Sequence, residues 1–334
     1  MLTLKDCGTG RRDGKPRLAT AVLRRAGASV MVLVAVSLLL FLSVNAMPGD
    51  PARILLGELA TPQMIAHMHH TLGLDQPWPL RYLRWVLHLI SGDFGTSYAT
   101  RGAVSALLGP AVCNSLVLVA IAIVIALPLS VLLGALTATF RDSWLDHCAD
   151  YVLLILSAIP DFAKSTLLVL LFATAVWQVL PAVAIIPAGD SLLDHGRELI
   201  MPVAVLALSA MPYLTRLVRA SMIDALEAEY VQMSRLKGLR ESRILFVHAL
   251  PNAIVPLIQG TSLCFALMLG GAVMIEFVFR YPGIGALLND AVSNRDMPTI
   301  QGVILVFSSI YMINNLLAEL LVLLASPESR SHGL

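Results

Sequence analysis

The charged side chains of Asp161, Lys164 and Glu276 stand within apolar stretches of this sequence. A charge at the centre of a bilayer costs roughly 2.5–3.5 kcal/mol on insertion scales, so such a residue usually finds a partner or faces water. Asp161 and Lys164 are three residues apart, a spacing that places both on one face of a helix. We interpret the two as lining a hydrated pathway, and mutual neutralisation without a transport role is the alternative.

Glu276 lies near the end of another apolar run, four residues before Arg280. A carboxylate at that depth is a candidate for an outer gate or vestibule, because intramembrane acids are costly unless they serve a site. The alternative is an interfacial carboxylate that pairs with Arg280.

The sequence gives little support for metal binding or for ATP hydrolysis. His67, His69 and His70 stand beside Met64 and Met68, and imidazole and thioether groups can bind nickel or copper. Adjacent histidines on an exposed helix are the commoner case, so we assign no metal site and no cofactor. The segment at 10–16 (GRRDGKP) has neither the glycine spacing nor the hydroxyl of a P-loop. ATP hydrolysis is therefore expected on a separate chain, and the protein is not expected to be an enzyme.

The elements that hold these residues are predicted to be membrane helices. The chain has 334 residues, of which 57% are hydrophobic and 13% are charged, against about 25% charged in a soluble domain. Its apolar residues form blocks of about 20, the length that crosses a bilayer. We predict an all-α polytopic protein with six spans and kinks at internal prolines. The spans are predicted at about 27–47, 112–138, 151–177, 199–218, 253–279 and 300–325.

The positive charges predict the orientation. With the N-terminus inside, fifteen Lys and Arg residues fall on the cytoplasmic side and seven outside, which favours cytoplasmic N- and C-termini. The predicted organisation is a basic cytoplasmic tail at 1–26, a membrane domain at 27–325 and a cytoplasmic tail at 326–334. Within the membrane domain, 48–111 forms an outer segment and 219–252 a cytoplasmic loop.

The loop at 219–252 is too long for a plain connector. The spacing of Met222, Leu226, Tyr230 and Met233 predicts one helix face. Gly238 follows, where glycine most easily adopts a left-handed helix cap. A second helix is predicted at about 241–250. The result is a helix–Gly–helix unit that is suited to binding another protein.

Several motifs in this chain resemble those of the permease subunits of bacterial ABC importers, most closely the dipeptide/oligopeptide/nickel branch. The resemblance extends from the first span to the C-terminus. The motifs are 230–239 (YVQMSRLKGL), 248–253 (HALPNA), 48–52 (PGDPA), 72–75 (LGLD), 92–98 (GDFGTSY), 270–273 (GGAV), Glu276, 281–285 (YPGIG), 295–296 (RD) and 301–302 (QG).

The resemblance implies a mechanism and a set of partners. A second, homologous permease subunit would complete the pathway in the inner membrane, and two cytoplasmic ABC ATPases would dock on the loops. An extracytoplasmic binding protein would deliver the solute. The solute would be a peptide or a related small molecule, a class that includes glutathione and nickel. No nucleic-acid partner is implied. An ion-driven secondary transporter is the rival, although no internal repeat supports it. The residues expected to contact the ATPase are Glu229, Tyr230, Arg235, Lys237, Gly238 and Leu239.

Overall fold

The computed structural model describes residues 14–46, 56, 60–71, 75–187, 192–240, 243, 244, 247 and 254–325. Within these ranges the chain is helical, with an isolated bridge between Thr96 and Ala103 in place of a sheet. The helices are α1 (Gly14–Ala46), α2 (Pro62–Thr71), α3 (Trp78–Ile90), α4 (Val104–Thr139), α5 (Trp144–Ala158), α6 (Asp161–Val169), α7 (Gly196–Glu227), α8 (Glu229–Leu236), α9 (Ile254–Phe279), α10 (Ile284–Ser293) and α11 (Met297–Ala325).

The predicted fold class is confirmed. Five of the described helices are long and apolar enough to cross a membrane, and α5 with α6 makes a sixth crossing if this bent pair forms one span. The helices exceed the predicted spans because sequence hydropathy detects only the apolar part of each. Thus α1 begins at Gly14, within the predicted tail, and α7 continues to Glu227, within the predicted loop.

The third predicted span is broken instead of kinked. The axes of α5 and α6 meet at 98°, because Ile159 adopts an extended conformation (φ −82°, ψ 123°) directly before Pro160. A proline clashes with a helical conformation of the preceding residue and has no N–H to continue the ladder. Pro128 and Pro202, in contrast, lie inside the continuous helices α4 and α7.

The core lies where α4, α7 and α9 pack together. Small residues bring α4 and α7 close, since a Cβ built on Gly134 would lie 2.7 Å from the Cβ of Val218. Close backbone approach through small residues is the common means of packing membrane helices. The amide Nδ2 of Asn314 on α11 donates to the backbone oxygen of Ser262 on α9 at 2.9 Å, and Arg25 on α1 pairs with Glu319 on α11 at 3.2 Å.

The segment between α3 and α4 is tied to the start of α11 by a buried carboxylate. Asp296 is 2% exposed and accepts hydrogen bonds from the Ser97 hydroxyl at 2.5 Å, the Tyr98 backbone N–H at 3.0 Å and the Thr299 hydroxyl at 2.8 Å. Burial and then the Asp296 carboxylate raise the pKa of the Tyr98 phenol, so that this hydroxyl stays neutral. We call this side of the bundle the Asp296 end and the opposite side the Gly238 end.

Candidate functional site

The predicted loop begins as an extension of a membrane helix. Helix α7 runs to Glu227, Ala228 is extended (φ −65°, ψ 145°), and the short helix α8 begins at Glu229. The single face predicted from Met222 to Met233 is therefore wrong. Met222 is buried against α4, whereas Met233 lies on α8 and is exposed. One extended residue between the two helices breaks a pattern that the sequence spacing made continuous.

The predicted glycine cap of α8 is present. Gly238 has φ +77°, its N–H donates to the Arg235 backbone oxygen at 2.9 Å, and the Leu239 N–H donates to the Ser234 oxygen at 3.3 Å. These two bonds form the Schellman arrangement that ends a helix through a left-handed residue. Glu229 in the first turn and Arg235 in the last complement the helix dipole.

Helix α8 presents large apolar side chains to its surroundings. Tyr230 is 44% exposed, Met233 59% and Leu236 83%, while Val231 is buried and attaches the helix to the bundle. Of the other predicted contact residues, Glu229, Arg235, Lys237 and Gly238 are exposed and Leu239 is half-buried. The predicted second helix at 241–250 lies largely outside the described residues.

The second predicted group, Asp161 and Lys164, forms an ion pair at the broken span. Lys164 Nζ lies 2.9 Å from Asp161 Oδ1 and donates to Ser209 Oγ on α7 at 2.6 Å, and Ser209 Oγ donates to Asp161 Oδ1 at 2.6 Å. Gly271 on α9 gives the carboxylate room, because a Cβ there would lie 3.0 Å from Asp161 Oδ2. This pair joins α6 to α7 and lines a cavity of about 670 Å³ at the Pro160 break.

Glu276 does not form the ion pair with Arg280 that was the alternative interpretation. Its side chain is fully buried, and in place of an ion pair with Arg280 it accepts hydrogen bonds from the Ser115 hydroxyl at 2.5 Å and the Gly285 N–H at 2.7 Å. A Cβ on Gly283 would clash with the carboxylate of Glu276. We call Ser115, Glu276, Gly283 and Gly285 the Glu276 junction. It fixes the start of α10 against α4 and α9.

Three contacts were missed by sequence reasoning. Ser209 and Ser115 gave no signal, because isolated serines in apolar stretches are common. The ion pair of Asp146 with Arg219 joins residues 73 positions apart at 2.7 Å, and only the Ser143-x-x-Asp146 spacing of a capping box pointed to the acid. Among the described residues, no group of three or more His, Cys, Asp or Glu is placed to hold a metal ion.

A double-mutant cycle tests the pairing at the break. Because removal of one partner leaves the other charge half-buried, Lys164→Met alone should destabilise the protein more than Asp161→Asn with Lys164→Met together. We expect a coupling energy of about 1–3 kcal/mol between the two positions. The apparent thermal stability of the purified single and double variants measures it, and additive effects would contradict the pairing.

Paired charges beside a cavity within the membrane-spanning part of a helical bundle are typical of substrate and ion pathways, and so of multi-pass transport proteins. Comparison with known families gives the particular class. Residues 130–331 match the family described as binding-protein-dependent transport system inner membrane component, and residues 18–133 match the N-terminal part of such membrane components.

Named relatives cover nearly the whole chain. It is 32% identical over 314 residues to a provisionally named peptide transport system permease protein of Brucella abortus, with 94% of this chain and 99% of the relative covered. It is 33% identical to a glutathione transport system permease protein of Salmonella paratyphi A, with 92% and 98% covered. It is 31% identical to an oligopeptide transport system permease protein of Bacillus subtilis, with 93% and 99% covered. The chain therefore belongs to the family of ABC importer permease subunits of the peptide type, which are multi-pass membrane proteins.

Proposed function

We propose that this permease subunit forms half of a translocation pathway for peptides or a related small solute across the inner membrane. The names of its relatives, which include peptide, oligopeptide and glutathione transport systems, support this solute class. A second permease subunit would complete the pathway, and an extracytoplasmic binding protein would deliver the solute to the Asp296 end. The cavity at Asp161 and Lys164 would form part of the hydrated route, and the Glu276 junction part of its outer closure.

The observation that carries the proposal is the exposed apolar face of α8. The side chains of Tyr230, Met233 and Leu236 are 44–83% exposed on a short helix that only Ala228 separates from α7, the helix that continues from the core. A short amphipathic helix that lies in a groove of a partner is a recurrent mode of docking. We propose that α8 docks into a cytoplasmic ABC ATPase, one on each permease subunit, which places the Gly238 end and both chain termini inside the cell.

Site-specific crosslinking tests the docking and the orientation together. In a background without the native cysteines of the permease, Leu236→Cys should form a crosslink with the ATPase subunit in membranes through a short reagent that carries one maleimide and one photoreactive benzophenone group. The control is Leu87→Cys on α3, which is 60% exposed in the proposed outer segment and should not react with the ATPase. A crosslink from Leu87→Cys instead of Leu236→Cys would contradict both the docking site and the orientation.

A further inference from the structure

The ion pair of Asp146 with Arg219, near the Gly238 end, has two hydrogen bonds and is more buried than the neighbouring ion pairs. Arg219 Nε donates to Asp146 Oδ1 at 2.8 Å and Arg219 Nη2 donates to Oδ2 at 2.7 Å. Asp146 is only 5% exposed. Two parallel charge-assisted hydrogen bonds fix the relative orientation of both groups as well as their distance. The pair thus holds α7 and α5 in a defined register.

Asp146 is fixed to the start of α5. Ser143 caps this helix by accepting a hydrogen bond from the Asp146 N–H at 3.3 Å, and Asp146 Oδ2 accepts one from the Asp142 N–H at 3.1 Å. A carboxylate in the first turn also interacts favourably with the helix dipole. A displacement of the Arg219 guanidinium therefore acts on the first turn of α5 and not on a loosely held side chain.

Arg219 is linked to α8 through the last two turns of α7. It lies eight residues before the end of α7 at Glu227, about 12 Å along the helix axis. Over this stretch Met222 and Ala225 pack against Ala138 of α4, which keeps the end of α7 straight against its neighbour. Only Ala228 separates α7 from α8.

The far end of α5 reaches the cavity. Helix α5 ends at Ala158, directly before the 98° break, and α6 then carries the Asp161–Lys164 pair that contacts Ser209. We propose that the Arg219–Asp146 ion pair is the positioning contact that transmits movement of α8 to α5, and thereby to the cavity at the break. This inference rests on the proposed docking at α8.

Two nearby ion pairs provide a contrast. Arg216 Nε lies 3.4 Å from Asp150 Oδ1 with side chains 43% and 66% exposed, and Arg141 pairs with Glu227 with side chains 49% and 66% exposed. Exposed pairs of this kind contribute little. The Arg216–Asp150 pair joins the same two helices as Arg219–Asp146, so Asp150→Asn is a matched control for Asp146→Asn.

The test follows the cavity without requiring a known solute. Ser157 is exposed at the end of α5 and lines the cavity at the break, so Ser157→Cys in a cysteine-free background reports on the cavity through its rate of reaction with a water-soluble maleimide. The probe is MgATP trapped with vanadate on the complete complex with its ATPases. Trapping should change the labelling rate about fivefold or more, the lower range of typical allosteric coupling. Asp146→Asn should remove most of this change, and Asp150→Asn should retain it.

The outcomes separate coupling from folding and from docking. Retention of the ATPases by Asp146→Asn, with nucleotide trapping but no change at Ser157→Cys, supports the inference. Arg219→Lys keeps the charge but not both hydrogen bonds, so it should give an intermediate response and decides the matter if Asp146→Asn fails to assemble. An unaltered response in both variants, failure of both to assemble, or no response in the parent complex would overturn the inference. A missing crosslink from Leu236→Cys would instead identify the docking proposal as the failure.

Discussion

Gly238→Val should reduce the amount of ATPase that co-purifies with the permease by about tenfold. The backbone at Gly238 has φ +77°, a left-handed conformation that costs a residue with a Cβ roughly 1–2 kcal/mol and a β-branched residue more. Valine would favour continuation or fraying of α8 over its Schellman end. The apolar face formed by Tyr230, Met233 and Leu236 would then lose its fixed orientation, and 1.4 kcal/mol corresponds to a factor of ten in affinity.

Gly92→Val is the matched control for this change. Gly92 has a similar left-handed backbone, with φ +82°, and it likewise has open space around a built Cβ. It lies just after α3 in the proposed outer segment. The strain is therefore comparable, but the ATPase should co-purify as with the unaltered chain. If Gly238→Val and Gly92→Val retain equal amounts of the ATPase, α8 is not the docking site.

Glu276→Ala should produce the largest loss of stability among substitutions in the described membrane-spanning helices. It leaves the Ser115 hydroxyl and the Gly285 N–H without their buried acceptor, and hydrogen bonds to charged groups contribute about 1.5–3 kcal/mol each. We expect a loss of about 3 kcal/mol or more, and a decrease of roughly 5–10 °C in the apparent melting temperature of the purified protein. Thermal unfolding in detergent measures it.

Two further variants specify the cause. Glu276→Gln keeps the shape of the side chain and one acceptor oxygen, so it should lose less stability than Glu276→Ala. Glu319→Ala removes another carboxylate of the membrane helices, but Glu319 is 41% exposed in its pair with Arg25 and should have a small effect. If Glu276→Ala and Glu319→Ala unfold at the same temperature, the Glu276 junction does not contribute as we propose.

The apolar blocks and Gly238 were sufficient to predict much of this protein. Span positions follow from hydropathy because a long apolar segment in lipid must satisfy its backbone polar groups, and a helix does so within the segment itself. The left-handed cap followed from one glycine at the end of a helical pattern. Neither prediction needed knowledge of which helices contact each other.

Features that depend on long-range contacts could not be predicted. Pro160 indicated a kink, but a 98° break also requires partners for α6, and Ser209 provides one from a distant helix. Ser115, which lies 161 residues away in the sequence, donates a hydrogen bond to Glu276 and so determines its environment. The backbone of Arg280 has a left-handed conformation, with φ +54°. The end of α7 at Ala228 has no local signal, since alanine is a good helix former.

The Asp296 carboxylate has a consequence for recombination between relatives. The two matched family regions meet near residue 130, which suggests a natural crossover point for chimeric permeases. Yet Ser97 from the first region and Thr299 from the second both donate to Asp296. Halves taken from different homologues should therefore join well only if each parent supplies its side of this contact.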